Sequence, residues 1–476
     1  MEFGILFTSH PNAIEEPYPH RDVHARVTDE IIEAERLGYD TAWIAEHHFA
    51  TSYGIMPDCF AYMAYLAGKT RRIRLGAAVI TLPLHDPIRV VENTSFVDIL
   101  SGGRVQLGLG SGYRPYEFEG LGKDFENRRD MVEEAVTLMF DAFHGHRWDH
   151  KGKYFEGRVA EPYEMLPHPI QMPHPPLYMA GGTDRSIGYC GRNGFGLMLS
   201  TLPGVDTLAA QIALYKRELA TASAERRKNP AAGNIDIARW VYVADSDAEA
   251  RIDTEEAIVR HIAHFGGSGT AGYLGSVSEK GNQLNYDDLL ATTLLHGSAE
   301  TVIAKLRELQ ARTGMTSLLL HYPPYYGREK TMKSLKLFAE RVIPPFRAPA
   351  GRRQRRVEAD PSDRLEAEVL DEVEPDRGLF LVEPLRLLER HGSVVDAIEA
   401  HHVLHLLAFS RLDQNLGQTP DDLRRRGFGC RTALKARQAE GWRGRALLLE
   451  RRDVRKRGHA LARDRNRNTA TALQGR

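Results

Sequence analysis

Short β runs and amphipathic helical runs alternate through the first 347 residues, and this alternation constrains the fold more than any other feature. The candidate strands are 3–7 (FGILF), 41–45 (TAWIA), 73–80 (IRLGAAVI), 104–109 (RVQLGL), 177–180 (LYMA), 196–199 (GLML), 236–243 (DIARWVYV) and 316–321 (TSLLLH). Between them, Val27, Ile31 and Ala34 share one helical face, and Leu37-Gly38 supplies a stop because glycine tolerates a left-handed cap. Val132, Ala135, Val136, Met139, Phe140 and Phe143 form a second apolar stripe. Ser298 is placed to cap a helix carrying Val302, Leu306 and Leu309. Parallel neighbours need crossover helices, and eight such units fit the roughly 250 residues or more of a TIM barrel. The expectation is therefore an α/β fold, a (β/α)8 barrel with insertions; a doubly wound open sheet is the alternative. Two excursions interrupt the rhythm, 144–176 and 265–297. The second carries Gly266-Gly267-Ser268-Gly269 and reads as a lid.

The composition breaks near residue 348. All 18 tyrosines and all 11 methionines precede it, and after it Lys435 and Lys456 are the only lysines, while arginine runs such as Arg352-Arg353-Gln354-Arg355-Arg356 appear. The joint Ala348-Pro349-Ala350-Gly351 is a linker composition. The chain thus divides into a barrel, 1–347, and an Arg-rich extension, 348–476. Two readings of the extension are open. One is a basic appendage for an acidic partner such as nucleic acid. The other is a stretch without its own function, of the Arg/Ala/Leu/Gly/Asp bias that a shifted frame in GC-rich DNA gives. The whole chain is balanced, with 63 basic and 64 acidic residues, so it has no global pull toward nucleic acid or an anionic membrane. Three dispersed cysteines, Cys59, Cys190 and Cys430, argue against a disulfide framework and a zinc site and fit a cytoplasmic location. No apolar run reaches the ~18 residues of a membrane helix. The first residues read as a strand rather than a signal peptide.

In a barrel of this kind the chemistry sits just past the C-terminal end of each strand. The second strand ends in Glu46-His47-His48-Phe49. Adjacent residues of an extended chain point to opposite faces, so at most one histidine faces the mouth directly, which suits a single base or hydrogen-bond donor better than a metal site. The fifth strand ends in Gly181-Gly182-Thr183-Asp184-Arg185-Ser186. Such a loop opening a helix suits a phosphate, with Thr183 or Ser186 as hydroxyl donors; a plain turn with Asp184 as the cap is the other reading. Gly110-Ser111-Gly112, after the fourth strand, leaves room beside it for a planar cofactor. A GxGxxG fingerprint and a P-loop are both missing.

These residues, taken together, resemble the bacterial luciferase-like flavin-dependent monooxygenases. The match runs through Phe3-Gly4, the stretch from Leu37 to Phe49, and Gly76-Ala77-Ala78-Val79-Ile80-Thr81-Leu82-Pro83. It continues with Asp86-Pro87 and Arg89, Ser101-Gly102-Gly103-Arg104, Met179-Ala180-Gly181-Gly182, Gly194 to Ser200, and Ser334 to Arg347. The resemblance implies a barrel that binds reduced FMN, activates O2 as a C4a-peroxyflavin and oxygenates a small organic substrate. It implies His47, with Glu46, as the catalytic histidine motif. It implies a cis peptide at Ala78–Val79 beside the flavin ring, with Gly110 and Ser111 near it, and phosphate contacts at Gly181, Gly182, Thr183 and Ser186. Homodimers are common in the family. One departure stands out: where relatives often place an arginine after the fourth strand, this chain has Ser111, with Arg114 and Arg185 as candidate substitutes.

No fingerprint for NAD(P)H is present, so reduced FMN would come from a separate flavin reductase. Deazaflavin F420 is the alternative cofactor, with hydride transfer in place of oxygenation; a non-catalytic flavin-binding barrel is a third reading. Tyr113, Phe49, Phe118, Tyr322 and Tyr325 are candidate pocket aromatics.

Overall fold

A computed structural model of the chain describes residues 1–50, 53–145, 147–267 and 285–347. The elements run β1 (Glu2–Phe7), α1 (Pro19–Leu37), β2 (Thr41–Ile44), α2 (Cys59–Lys69), β3 (Arg74–Thr81), α3 (Pro87–Ser101), β4 (Val105–Gly110), α4 (Pro115–Gly120) and α5 (Arg128–His144). They continue with β5 (Trp148–Lys151), β6 (Glu156–Val159), β7 (Leu177–Ala180), α6 (Asp184–Arg192), β8 (Gly196–Leu199), α7 (Val205–Leu219), β9 (Ile235–Val243) and α8 (Asp247–Gly267). The last are α9 (Tyr286–Thr292), β10 (Leu295–Gly297), α10 (Ala299–Thr313), β11 (Ser317–His321) and α11 (Arg328–Leu337). Strands pair in the order β9-β11-β1-β2-β3-β4-β7-β8, and β8 returns to β9. All of these pairings are parallel. The circuit is a closed (β/α)8 barrel, and the open-sheet alternative is set aside.

Local chemistry places the helices. Gly38 ends α1 at φ +86°, where its N–H meets the Ala34 and Glu35 carbonyls, and Ser298 caps α10 by accepting from the Thr301 N–H. One expectation needs correction. Thr183, not Asp184, caps α6; its hydroxyl and that of Ser186 form a reciprocal capping box. Within the insertion at 265–297, Tyr286–Thr292 is helical, and Leu295–Gly297 extends the sheet by pairing with Val241–Val243 of β9. Residues 268–284 of that insertion, and the Arg-rich stretch 348–476, lie outside the described residues. The excursion at 144–176 contains the antiparallel β5–β6 hairpin. No helix among the described residues is long and apolar enough to cross a membrane.

The strands are buried on both faces, as parallel strands must be. Outward residues such as Phe3, Ile5, Leu75, Leu107 and Leu318 join Val27, Ile31 and Val302 of the helices in the main core. Inward residues form a smaller one: Trp43, Tyr178, Met198, Ala238 and Leu319. Trp43 fills the middle of the barrel, and its ring stands edge-on to Tyr178 at 5.2 Å. The neighbouring strands must give way to it. A Cβ on Gly4 would lie 2.8 Å from the Trp43 ring, and one on Gly76 only 2.2 Å. The two glycines are therefore the space into which the indole packs.

This arrangement makes a testable statement. Gly76→Ala should destabilise the protein by ~1–3 kcal/mol, the range for overpacking a full core, and Trp43→Leu in the same chain should recover part of the loss. Urea denaturation of the two variants measures both; a Gly76→Ala protein as stable as the parent would show that Trp43 does not fill this space.

Candidate active site

The end of β2 carries a buried carboxylate with three donors. Glu46 Oε1 accepts from His48 Nε2 and His85 Nε2, each at 2.7 Å, and Oε2 accepts from the Thr81 N–H at 3.0 Å. Burial alone would favour the acid form, but the two histidines and the Thr81 amide outweigh it and hold Glu46 down to about 2. In return, Glu46 raises the pKa of His48 against the opposing effect of burial.

His47 turns the other way. Its Nδ1 lies 3.1 Å from Glu117 Oε1, and the same oxygen accepts the His48 N–H at 3.1 Å. An oxygen that already accepts one N–H is placed to accept the Nδ1–H as well, which leaves the Nε2 lone pair as the basic atom. Among the described residues Nε2 has no hydrogen-bond partner. Burial lowers the His47 pKa; Glu117 counters in part, and the nearby Arg114 charge adds to the lowering. At neutral pH the imidazole is uncharged and able to take a proton. The Tyr53 ring stands edge-on at 5.0 Å and Tyr113 at 6.3 Å. Glu117 and His85 were missed in the sequence. Glu117 sits on the short helix α4, which opens at Pro115 just after the fourth strand, and a survey of carboxylates beyond that strand end would have found it.

The neighbouring strand ends are built from small residues. The Ala78–Val79 peptide is cis, at the bond the resemblance implied, and the β3–β4 register shifts between Ala77 and Ile80. Glycines on β4 accommodate the shift: a Cβ on Gly108 would lie 2.3 Å from the Ala77 carbonyl oxygen, and one on Gly110 would lie 2.6 Å from Val79 Cγ2 and 3.9 Å from Ala180. Ser111 is half-buried. Ala180, Gly182 and Thr183 are exposed, and a Cβ on Gly182 would meet nothing within 4 Å. The ends of β4 and β7 thus form a cradle of small residues that is packed against Val79 on the β4 side and exposed on the β7 side. At the start of α6, the Ser186 hydroxyl already accepts the Gly182 and Thr183 N–H groups. The Asp184 and Arg185 N–H groups have no partner among the described residues, and they point along the helix axis with its positive end. A phosphate can use these two directly and the other two by displacing Ser186.

The remaining candidates separate. Arg185 is held by Asp130 and Glu133. Arg114 is fully buried, with its guanidinium over Tyr53 and Tyr113 and bonded to the Tyr116 hydroxyl. Phe118 is buried edge-on to Phe125, and Phe49 is exposed at φ +56°. Tyr325 reaches the mouth, with its ring 5.4 Å from His10, and Tyr322 is half-buried beside β11. No group of three metal-ligating side chains converges among the described residues.

Fold and site together define a barrel enzyme with carboxylate–imidazole pairs at its mouth, Glu117 with His47 and Glu46 with His48 and His85, beside a cradle of small residues. A family model described as luciferase-like monooxygenase matches residues 1–317, and the chain belongs to that family. It is 29% identical over 331 residues to the 4-hydroxyprotoasukamycin monooxygenase of Streptomyces nodosus subsp. asukaensis, covering 66% of this chain and 84% of that one. It is 27% identical over 234 residues to the oxygenase component of the flavin-dependent trigonelline monooxygenase of Acinetobacter baylyi, covering 48% and 62%. Among solved structures, the FMN complex of the oxygenating constituent of 3,6-diketocamphane monooxygenase from Pseudomonas putida matches with a TM-score of 0.60 at 21% identity, covering 73% and 99%. F420-dependent enzymes are also similar.

The geometry predicts the direction of one titration. Glu117 raises the His47 pKa, so Glu117→Gln should lower it further. NMR of 13C-labelled histidine should place the His47 midpoint below 6.5 in the parent and lower again in the variant. An unchanged or raised midpoint would remove Glu117 as the partner of His47.

Proposed function

We propose that the chain is the oxygenase component of a two-component FMN-dependent monooxygenase. The observation that carries this reading is the pairing of the β4–β7 cradle with a neutral, oriented His47. The cradle fits the group: Ala78, Val79, Gly110 and Ser111 would face the flavin ring, and Gly181, Gly182, Thr183 and Ser186 would hold its phosphate. Reduced flavin, when bound, supplies the reaction with O2. His47 Nε2 holds or accepts a proton next to the ring, and Glu117 fixes the imidazole edge that faces it. Glu46 acts at one remove. It positions His48, His85 and the end of β3, and so keeps the β2 turn in place. The flavin-dependent oxygenase component among the relatives supports this reading, and it supports a separate flavin reductase as the source of reduced FMN. A homodimer in the cytoplasm acting on a small organic substrate completes the proposal.

A second reading, F420-dependent hydride transfer, draws on the F420-dependent relatives and on Ser111, which stands where relatives often place an arginine for the phosphate. Rapid mixing decides between them. Protein loaded with reduced FMN is mixed with oxygenated buffer and followed by absorbance. Reoxidation that is slow and passes through a spectrum unlike free oxidised FMN supports the oxygenase; reoxidation at the free-flavin rate together with F420-linked turnover overturns it. His47→Ala should keep FMN affinity within about twofold and lose product formation by 10²-fold or more, the usual scale for a positioned acid–base group. Wild-type turnover in that variant would exclude His47 from the chemistry.

A further inference from the structure

A second buried arginine lies behind the strand ends, between β8 and β9. Ala238 faces into the barrel, so alternation turns Arg239 outward, beneath the loop that joins β8 to α7. It is 1% exposed. Its guanidinium donates to the carbonyl oxygens of Ser200 at 3.3 Å, Thr201 at 3.0 Å, Ala238 at 3.1 Å and Pro203 at 2.8 Å. All four acceptors are neutral, and among the described residues no carboxylate pairs with it. Burial draws Arg239 down to about 10, which leaves it charged at neutral pH. A charge taken out of water is costly unless an opposite charge meets it.

The strand register shows what stands beside this charge. Met198 of β8 pairs with Ala180 of β7 and with Asp236 of β9, and the Gly181 N–H continues the ladder to the Met198 carbonyl. Three residues further on, Thr183, Thr201 and Arg239 share one level. Neighbouring strands lie ~4.8 Å apart, and the guanidinium reaches back to the Ser200 and Thr201 carbonyls, so the charge sits roughly 8–10 Å from the start of α6. The loop it holds runs into α7 at Gly204, and Gln211 of α7 donates to the Gly182 carbonyl at 3.3 Å. Other charges near the start of α6 are cancelled or wet: Arg185 is paired with Asp130 and Glu133, Asp206 with Arg312, and Asp184 is exposed.

We propose that Arg239 is a positioning residue whose buried charge favours an anion, the cofactor phosphate, at the start of α6. The proposal rests on the flavin reading of this cradle. With its donors taken up by carbonyls, Arg239 does not touch the anion. It acts in two ways. Its four hydrogen bonds fix the 200–203 loop, which α7 and Gln211 link to Gly182. Its uncancelled charge favours a dianion over a neutral ligand, and burial limits the screening of that charge by water and salt. At roughly 8–10 Å and the effective dielectric of protein sites, one unit charge is worth at least about tenfold in affinity for a dianion.

Riboflavin, which lacks the phosphate, is the matched probe. Quenching of flavin fluorescence gives the Kd of oxidised FMN and of riboflavin for the full-length protein, and 31P NMR gives that of inorganic phosphate. The parent should bind FMN at least about tenfold more tightly than riboflavin. Arg239→Met and Arg239→Gln remove the charge, and each should cut that ratio about tenfold; the second keeps donors for the loop. Arg239→Lys keeps the charge with fewer donors, so it should hold the ratio within about threefold of the parent even where both affinities fall. A merely structural arginine predicts something else: FMN and riboflavin weaken together, and the ratio survives in all three variants. That result, or a ratio lost in Arg239→Lys as fully as in Arg239→Met, would overturn the proposal. Inorganic phosphate separates it from the flavin reading. If the parent binds neither flavin but binds phosphate, and loses it in Arg239→Gln but not in Arg239→Lys, the FMN reading falls and Arg239 stands. If FMN binds with a ratio that ignores Arg239, only the role of Arg239 falls. If neither flavin nor phosphate binds, both fall.

Discussion

A carboxylate inside a protein is costly unless its lone pairs are taken up, and Glu46 sits 3% exposed at the end of β2. Its three donors come from three different places: His48 two residues further on, the Thr81 amide at the end of β3, and His85 beyond it. Because the charge must keep those partners, the ends of two adjacent strands are tied together at the mouth. The residue between Glu46 and His48 then has only one direction left. His47 faces away from the Glu46 network and meets Glu117 from α4. The buried Glu46 charge and the oppositely directed His47 imidazole are thus two consequences of one alternating backbone.

Below that level the barrel is closed by volume rather than by charge. Trp43 occupies the axis between Gly4 and Gly76, with Tyr178 edge-on. The same device recurs one layer higher with the opposite result. Gly108 and Gly110 clear the shifted β3 segment at Ala77–Val79, where Val79 and Met198 fill the space beside them, and the end of β7 remains exposed. Glycines in the lower layer make room for a tryptophan. In the upper layer they leave a cradle. The strand ends that carry function differ from the packed interior by what fills the space their glycines open.

The barrel itself was legible in the sequence because every wall strand is an apolar run bounded by a helix signal, and each observed strand begins and ends within about a residue of the run that announces it. Elements that do not bury two faces left weaker traces. β5 and β6 are four-residue strands that alternate half-buried and exposed residues, and β10 has three residues, too short for a period to show. At the site, Glu46 and His47 stood out because they adjoin a strand end in sequence. Glu117 did not, since its place beside His47 depends on α4 folding back across 70 residues of chain. The start of α6 carried the right residue types, but sequence could not show that Ser186 turns inward and occupies the Gly182 and Thr183 amides.

The mouth therefore has two chemically different sides. On the β2–β4 side every charged group is engaged: Glu46 by histidines, Glu117 by His47, Arg114 by tyrosine rings and the Tyr116 hydroxyl. On the β9–β11 side Arg239 is buried and held by the Ser200, Thr201 and Pro203 carbonyls, while Trp240 Nε1 and His321 Nε2 have no hydrogen-bond partner among the described residues. A charge held in place by its neighbours can set the protonation and orientation of a reacting group, but it has little left with which to bind a ligand. An unpaired neutral donor does the reverse: it gains its full hydrogen bond only when a ligand arrives, and it loses the most when the ligand lacks the acceptor. Family membership, carried by the β2–β4 and β7 motifs, then says little about which substrate such a mouth takes.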